Sequence, residues 1–122
     1  MKDRYTCVII EDDPAFLMML SIAVRKLDTI KIVATFDKAF EAMSYLQKNS
    51  PDILITDINV QGHKGPEIVN MCEVHPQVVL ISSHPETIME EYPIEYTSYI
   101  QKPLAKLSQI SDAIELCIRE IG

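Results

Sequence analysis

At 122 residues, with 48% hydrophobic and 24% charged side chains, the chain is the size of one domain and carries enough apolar residues for a real core. Its net charge of -7 would be repelled by a phosphate backbone, which argues against nucleic-acid binding by this segment. No apolar run approaches the roughly 20 residues of a membrane span, and Met1-Lys2-Asp3-Arg4 lacks a signal-peptide pattern, so a cytoplasmic location is expected.

In chain order, Thr6-Cys7-Val8-Ile9-Ile10 is a continuous apolar strand that ends in Glu11-Asp12-Asp13. Asp13-Pro14 is a good cap and first-turn pair for a helix, which carries Leu17, Leu20, Val24 and Leu27 on one face. A second strand is read from Ile30 to Thr35, and Asp37 is expected to cap a second helix with Phe40, Met43 and Leu46 turned inward. Pro51-Asp52 introduces the run Ile53-Leu54-Ile55-Thr56-Asp57, a buried strand that stops abruptly in a carboxylate. A loop with Gly62 and Gly65 follows, then a third helix that begins at Pro66, runs through Ile68, Val69 and Cys72, and is closed by His75-Pro76.

Val78-Val79-Leu80-Ile81 is another apolar strand, ending in Ser82-Ser83, and a short helical piece is expected between Pro85 and Tyr92. Tyr96 to Gln101 is a fifth strand ending in Lys102-Pro103, and the last helix repeats Leu107, Ile110, Ile114, Cys117 and Ile121 on one side. Strands that are apolar on both faces and joined by helices imply an α/β fold, a parallel five-stranded sheet covered on each side, within one domain spanning 1–122. Cys7, Cys72 and Cys117 are odd in number and widely spaced in apolar surroundings, and are expected as reduced thiols.

Parallel strands bring their carboxyl ends to one edge, where such sheets bind ligands. Glu11 and Asp12, Asp57, Ser82 and Lys102 therefore converge there. Carboxylates so close repel by on the order of 1 to 4 kcal/mol per pair at ~4 Å, and need protonation or a cation. Hard oxygen ligands with room for water suit Mg²⁺. Lys102 adds an ammonium and Ser82 a hydroxyl, and a carboxylate in such company is equipped to attack phosphorus. Each residue also has a plainer role: Asp13 as a helix cap, Ser82 and Ser83 as turn residues, Lys102 as a solvated lysine, and Tyr99 as packing against the last helix. His63, His75 and His84 share no metal-ligand spacing and are read as structural or solvated.

Glu11-Asp12-Asp13, the run Asp57-Ile58-Asn59-Val60-Gln61-Gly62 with Gly65, Ser82-Ser83 and Tyr99-Ile100-Gln101-Lys102-Pro103 together resemble the receiver domain of two-component response regulators over essentially the whole chain. The resemblance implies a flavodoxin-like (βα)5 three-layer sandwich in which Asp57 accepts a phosphoryl group from a histidine kinase or phosphotransfer protein. It implies Asp12 and Asp57 as Mg²⁺ ligands, the Asn59 backbone carbonyl completing the protein ligands, and Glu11 acting through water. Lys102 would pair with the phosphoryl oxygens, Ser82 would move toward them, and Tyr99 would change rotamer with it.

Gln61 stands where the family usually has proline, which implies a less rigid loop, and Ser82 replaces the commoner threonine. The short interval from Ser82 to Lys102 and the Lys102-Pro103-Leu104 ending are similar to receivers that precede LytTR-type DNA-binding domains, a likeness that implies the receiver portion of a longer regulator, while the sequence alone leaves a single-domain protein open. His84 and Asn59, each two residues past a site residue, are expected to overhang the acceptor and tune water access. The output is expected at the face made by the fourth helical piece, the fifth strand and the last helix, with Tyr99, Met89 and Ile118 partly exposed and a homodimer or partner bound there. Two alternatives stand beside this reading. One is a haloacid-dehalogenase-like phosphatase, although Asn59 occupies the place of its general acid; the other is a receiver-like binding module that has lost phosphorylation.

Overall fold

The computed structural model describes residues 4–92 and 94–122; Met1, Lys2 and Asp3, at the start of the expected domain, lie outside them. In chain order the elements are β1 (Tyr5–Ile10), α1 (Pro14–Arg25), β2 (Ile30–Phe36), α2 (Ala39–Leu46), β3 (Ile53–Asp57), β4 (Asn59–Val60), β5 (His63–Lys64), α3 (Gly65–Val69), β6 (Gln77–Ser82), a 3₁₀ helix over Glu86–Glu91, β7 (Ser98–Gln101) and α4 (Ser108–Ile121). The five longer strands form one sheet in the order β2-β1-β3-β6-β7, and every pairing in it is parallel.

The alternation of a pleated strand divides the core into two layers. Cys7, Ile9, Ile53, Ile55, Val79, Ile81 and Ile100 pack with Leu20 and Val24 of α1 and Ile110, Ile114 and Cys117 of α4. Val8, Ile10, Leu54, Val78 and Leu80 pack on the other side with Ala39, Ala42 and Leu46 of α2 and Ile68 and Val69 of α3. Each fully buried Ile or Leu contributes about 1.5–3 kcal/mol. The central strands, apolar on both faces, therefore hold their carboxyl ends in fixed register.

The edge strand β2 serves both layers because it bulges. Cys7 pairs with Ile32 but Val8 with Ala34, which leaves Val33 as the extra residue. Ile30 and Ile32 consequently face one layer, while Ala34 and Phe36 face the other. At the opposite edge of the sheet from the acids, Asp52 accepts from the Thr6 amide at 2.9 Å and the Thr6 hydroxyl accepts from the Asp52 amide at 2.9 Å, which sets β3 against β1.

Four expectations need correction. The residue preceding α2 is Lys38, with no side-chain cap bond, rather than Asp37. Its inward positions are Ala39, Ala42 and Leu46, so Phe40, one step of about 100° from Ala39, points to solvent at 76% exposure. The third helix ends at Val69, well before Cys72, because the chain turns at Asn70. Leu107, expected on the last helix, is the residue that precedes α4, and both it and Ile121, the last residue of α4, are exposed. The cysteines are all unbridged, with Cys7 and Cys117 buried and Cys72 half-buried. Among the described residues no helix is long and apolar enough to cross a membrane.

Candidate functional site

Glu11 and Asp12 follow the last residue of β1, Asp57 is the last residue of β3, Ser82 the last of β6, and Lys102 follows β7. The parallel sheet delivers all five to one edge, as the chain order implied. Carboxylate oxygens of Glu11, Asp12 and Asp57 lie within 4.8 Å of one another. The Lys102 ammonium sits between two of these acids, 2.6 Å from Glu11 Oε1 and 2.9 Å from Asp57 Oδ2. Its Nζ also lies 4.5 Å from the centre of the Phe16 ring, whose negative face favours a cation there. Lys102 is further anchored through its backbone, whose amide donates to the Ser82 carbonyl at 2.7 Å.

The acids differ in environment. Glu11 is fully buried, and its Oε2 accepts from the Asp13 amide at 3.1 Å, while Oε1 has the ammonium as ion-pair partner but no well-aligned hydrogen bond. Burial pushes the Glu11 carboxyl pKa above its ordinary value; the Lys102 ammonium and the Asp13 amide oppose that shift, and the Asp57 charge adds to it. For Lys102, burial works against the charge, but the bonds to Glu11 and Asp57 more than offset it and hold the ammonium above the usual lysine value. Asp12 is exposed.

Three carboxylates against one ammonium leave an excess of two negative charges if all are ionised. That excess, a clustered set of hard oxygens and an oxygen of buried Glu11 without a full hydrogen bond fit a small divalent cation.

Ser82 and Tyr99 are brought to the same loop rather than onto the acids. The Ser82 hydroxyl accepts from the His84 amide at 3.0 Å, and the Tyr99 hydroxyl donates to the His84 carbonyl at 2.7 Å. His84 is thus gripped on both sides by the two residues expected to switch. Asn59 is exposed, and its amide donates to Asp57 Oδ1 at 3.1 Å. His63 pairs with Glu67, and His75 lies just ahead of β6 at the far edge of the sheet.

Two participants were not identified from the sequence. Phe16 reads as one more apolar residue in a first helical turn. Gln61 donates its amide to Asp12 Oδ2 at 3.3 Å, inside a small hairpin of β4 and β5 that the loop glycines only hinted at.

Residues 7–115 match the family described as response regulator receiver domain. The chain is 28% identical over 99 residues to the transcriptional regulatory protein YpdB of Escherichia coli (strain K12), covering 79% of this chain and 41% of that protein. It is 25% identical to the sensory transduction protein LytT of Enterococcus faecalis, over 94% of this chain and 48% of that one. The chain thus spans less than half the length of these relatives. The response regulatory domain of protein mrkE from Klebsiella pneumoniae superposes with a TM-score of 0.81 at 24% identity, covering 94% of this chain and 96% of that one, and so shares the fold.

Proposed function

The chain belongs to the response regulator receiver family, and from that premise we propose that Asp57 is its phosphoryl acceptor. The observation that carries this reading is the Lys102 ammonium at 2.9 Å from Asp57 Oδ2, with Glu11 and Asp12 oxygens gathered around the same carboxylate. An Asp57 oxygen attacks phosphorus as the bond to the donor nitrogen of a phosphohistidine breaks, leaving an acyl phosphate on the chain. Lys102 neutralises charge on the phosphoryl oxygens, and the Asn59 amide orients the carboxylate through Oδ1. Asp12, Asp57 and the Asn59 carbonyl would hold Mg²⁺, with Glu11 acting through water. Bound there, Mg²⁺ would supply positive charge to offset that of the phosphoryl oxygens.

Phosphorylation exchanges one carboxylate charge for about -1.5 to -2, by analogy with other phosphorylated side chains, and adds acceptor oxygens. Ser82, buried at the end of β6, turns its hydroxyl toward them and gives up the His84 amide. Tyr99, bonded to the same residue, is released with the loop. The change reaches the face made by the 3₁₀ helix, β7 and α4, where Met89, Tyr99 and Ile118 are half-buried.

We assign residues 1–122 to one cytoplasmic receiver unit that takes its phosphoryl group from a sensor histidine kinase or phosphotransfer protein. That unit controls an output domain of LytTR type, a homodimer or a partner through this face. It acts as a switch, not as a turnover catalyst: Asn59 stands where a phosphatase of the haloacid dehalogenase type carries its general-acid aspartate.

Incubation with acetyl phosphate and Mg²⁺ is expected to add about one phosphoryl group per chain, labile to hydroxylamine as an acyl phosphate is. Sustained hydrolysis of a phosphate monoester such as p-nitrophenyl phosphate, with no accumulated acyl phosphate, would contradict the switch.

A further inference from the structure

Gln61 joins three elements that are far apart in sequence. Its backbone is left-handed, with φ 50°, and Gly62 follows at φ 84°. The two make the tight turn between β4 and β5, a geometry that glycine adopts freely and a residue with a Cβ adopts under strain. Its side-chain Oε1 accepts from the Ala39 amide at 2.9 Å, 22 residues away, and Ala39 is the first residue of α2. The residue preceding that helix, Lys38, supplies no side-chain bond, so Gln61 satisfies from outside a donor that the helix leaves open. Its own amide donates to Asp12 Oδ2 at 3.3 Å.

We propose that Gln61 is a positioning residue for the acidic site: its side chain clamps the turn to α2, and the clamped turn holds the Asp12 carboxylate. Proline, usual in the family at this place, can do neither, since its φ is fixed near −65° and it has no amide hydrogen. The mobility expected of a loop lacking that proline is therefore countered by a tether. The consequence is a link between Asp12 and the first turn of α2, which also carries the exposed Phe40. The proposal rests on the reading of Glu11, Asp12 and Asp57 as a cation site.

The test uses unphosphorylated protein and the variant Gln61→Ala, which keeps the amide and meets the same left-handed strain. Calorimetric titration with Mg²⁺ is expected to show affinity roughly tenfold weaker, the lower end of the range for a group that orients a ligand. Because coupling is reciprocal, Mg²⁺ is expected to slow hydrogen exchange of the Ala39 amide in the native chain and not in Gln61→Ala.

Adding Lys38→Ser to Gln61→Ala gives α2 a cap of its own. The double variant is expected to recover thermal stability but not Mg²⁺ affinity; recovery of both would reduce Gln61 to a helix cap and overturn the proposal. Native protein that binds Mg²⁺, with unchanged affinity in Gln61→Ala, would overturn it alone. Native protein that binds no Mg²⁺ would remove the cation site and this role together.

Discussion

An Asp57→Asn chain is expected to fold normally and to take up no phosphoryl group from acetyl phosphate or a phosphohistidine donor. Asparagine is nearly isosteric and its carbonyl can still accept from the Asn59 amide, which Asp57 Oδ1 accepts at 3.1 Å. Its amide oxygen, however, is no nucleophile, so the loss is complete rather than graded. Stability should not fall with activity. The substitution removes one of three clustered carboxylates, a relief of on the order of 1 to 4 kcal/mol per pair at ~4 Å, against one lost ion pair with Lys102. The melting temperature of the metal-free variant should be equal to or above that of the native chain, which separates loss of the acceptor from loss of the fold. Intact-mass measurement after phosphodonor treatment decides the first point: stoichiometric uptake by Asp57→Asn would place the acceptor elsewhere.

Lys102→Met is expected to fail in both respects. Methionine keeps the unbranched stem, one atom shorter, and can lie against the Phe16 ring, but it leaves buried Glu11 without its counter-ion at 2.6 Å. Breaking a buried pair by removing one partner costs about 3–5 kcal/mol, and the lower end is expected because Glu11 can take up a proton instead. Burial already pushes the Glu11 carboxyl upward, and without the ammonium that push is less opposed. A carboxyl whose folded pKa lies above its unfolded value loses stability as pH rises between the two values and regains it below the unfolded one.

The deficit of Lys102→Met should therefore be largest near pH 7, roughly 10 °C in melting temperature for about 3 kcal/mol, and should shrink as pH falls toward ~4.3, the ordinary glutamate value. Phosphoryl uptake should be lost with the charge that steadied the transferred group. Thermal melts across that pH range check the sign; a deficit that grows on acidification would contradict the assigned pairing.

Much of this was legible in the chain because its signals are local or topological. An apolar run ending in Asp57, another ending in Glu11-Asp12 and a third ending in Lys102 must emerge at one sheet edge once the strands are parallel, whatever the side-chain details. Asp13-Pro14 started α1 as expected, and the Asp13 side chain accepts from the Ala15 amide at 3.1 Å. What escaped depended on a helix phase or a distant partner. Phe40 was assigned to the core because it stands three residues before Met43, but the buried stripe of α2 is Ala39, Ala42 and Leu46, which leaves Phe40, about 100° round from Ala39, on the outer side. The start of α2 depends on a distant partner, since the Ala39 amide donates to the side chain of Gln61, 22 residues later. Nor could spacing reveal that Ser82 and Tyr99 both hold His84, a pairing set by loop geometry between strands.

The most direct test of the cation site is a crystal of the native chain soaked with Mn²⁺ as a Mg²⁺ substitute and measured for anomalous scattering. One strong peak is expected within ligand distance of carboxylate oxygens of both Asp12 and Asp57 and of the Asn59 carbonyl. A peak bound only elsewhere, or none at saturating Mn²⁺, would contradict the assignment of these strand ends to a metal-assisted phosphoryl acceptor.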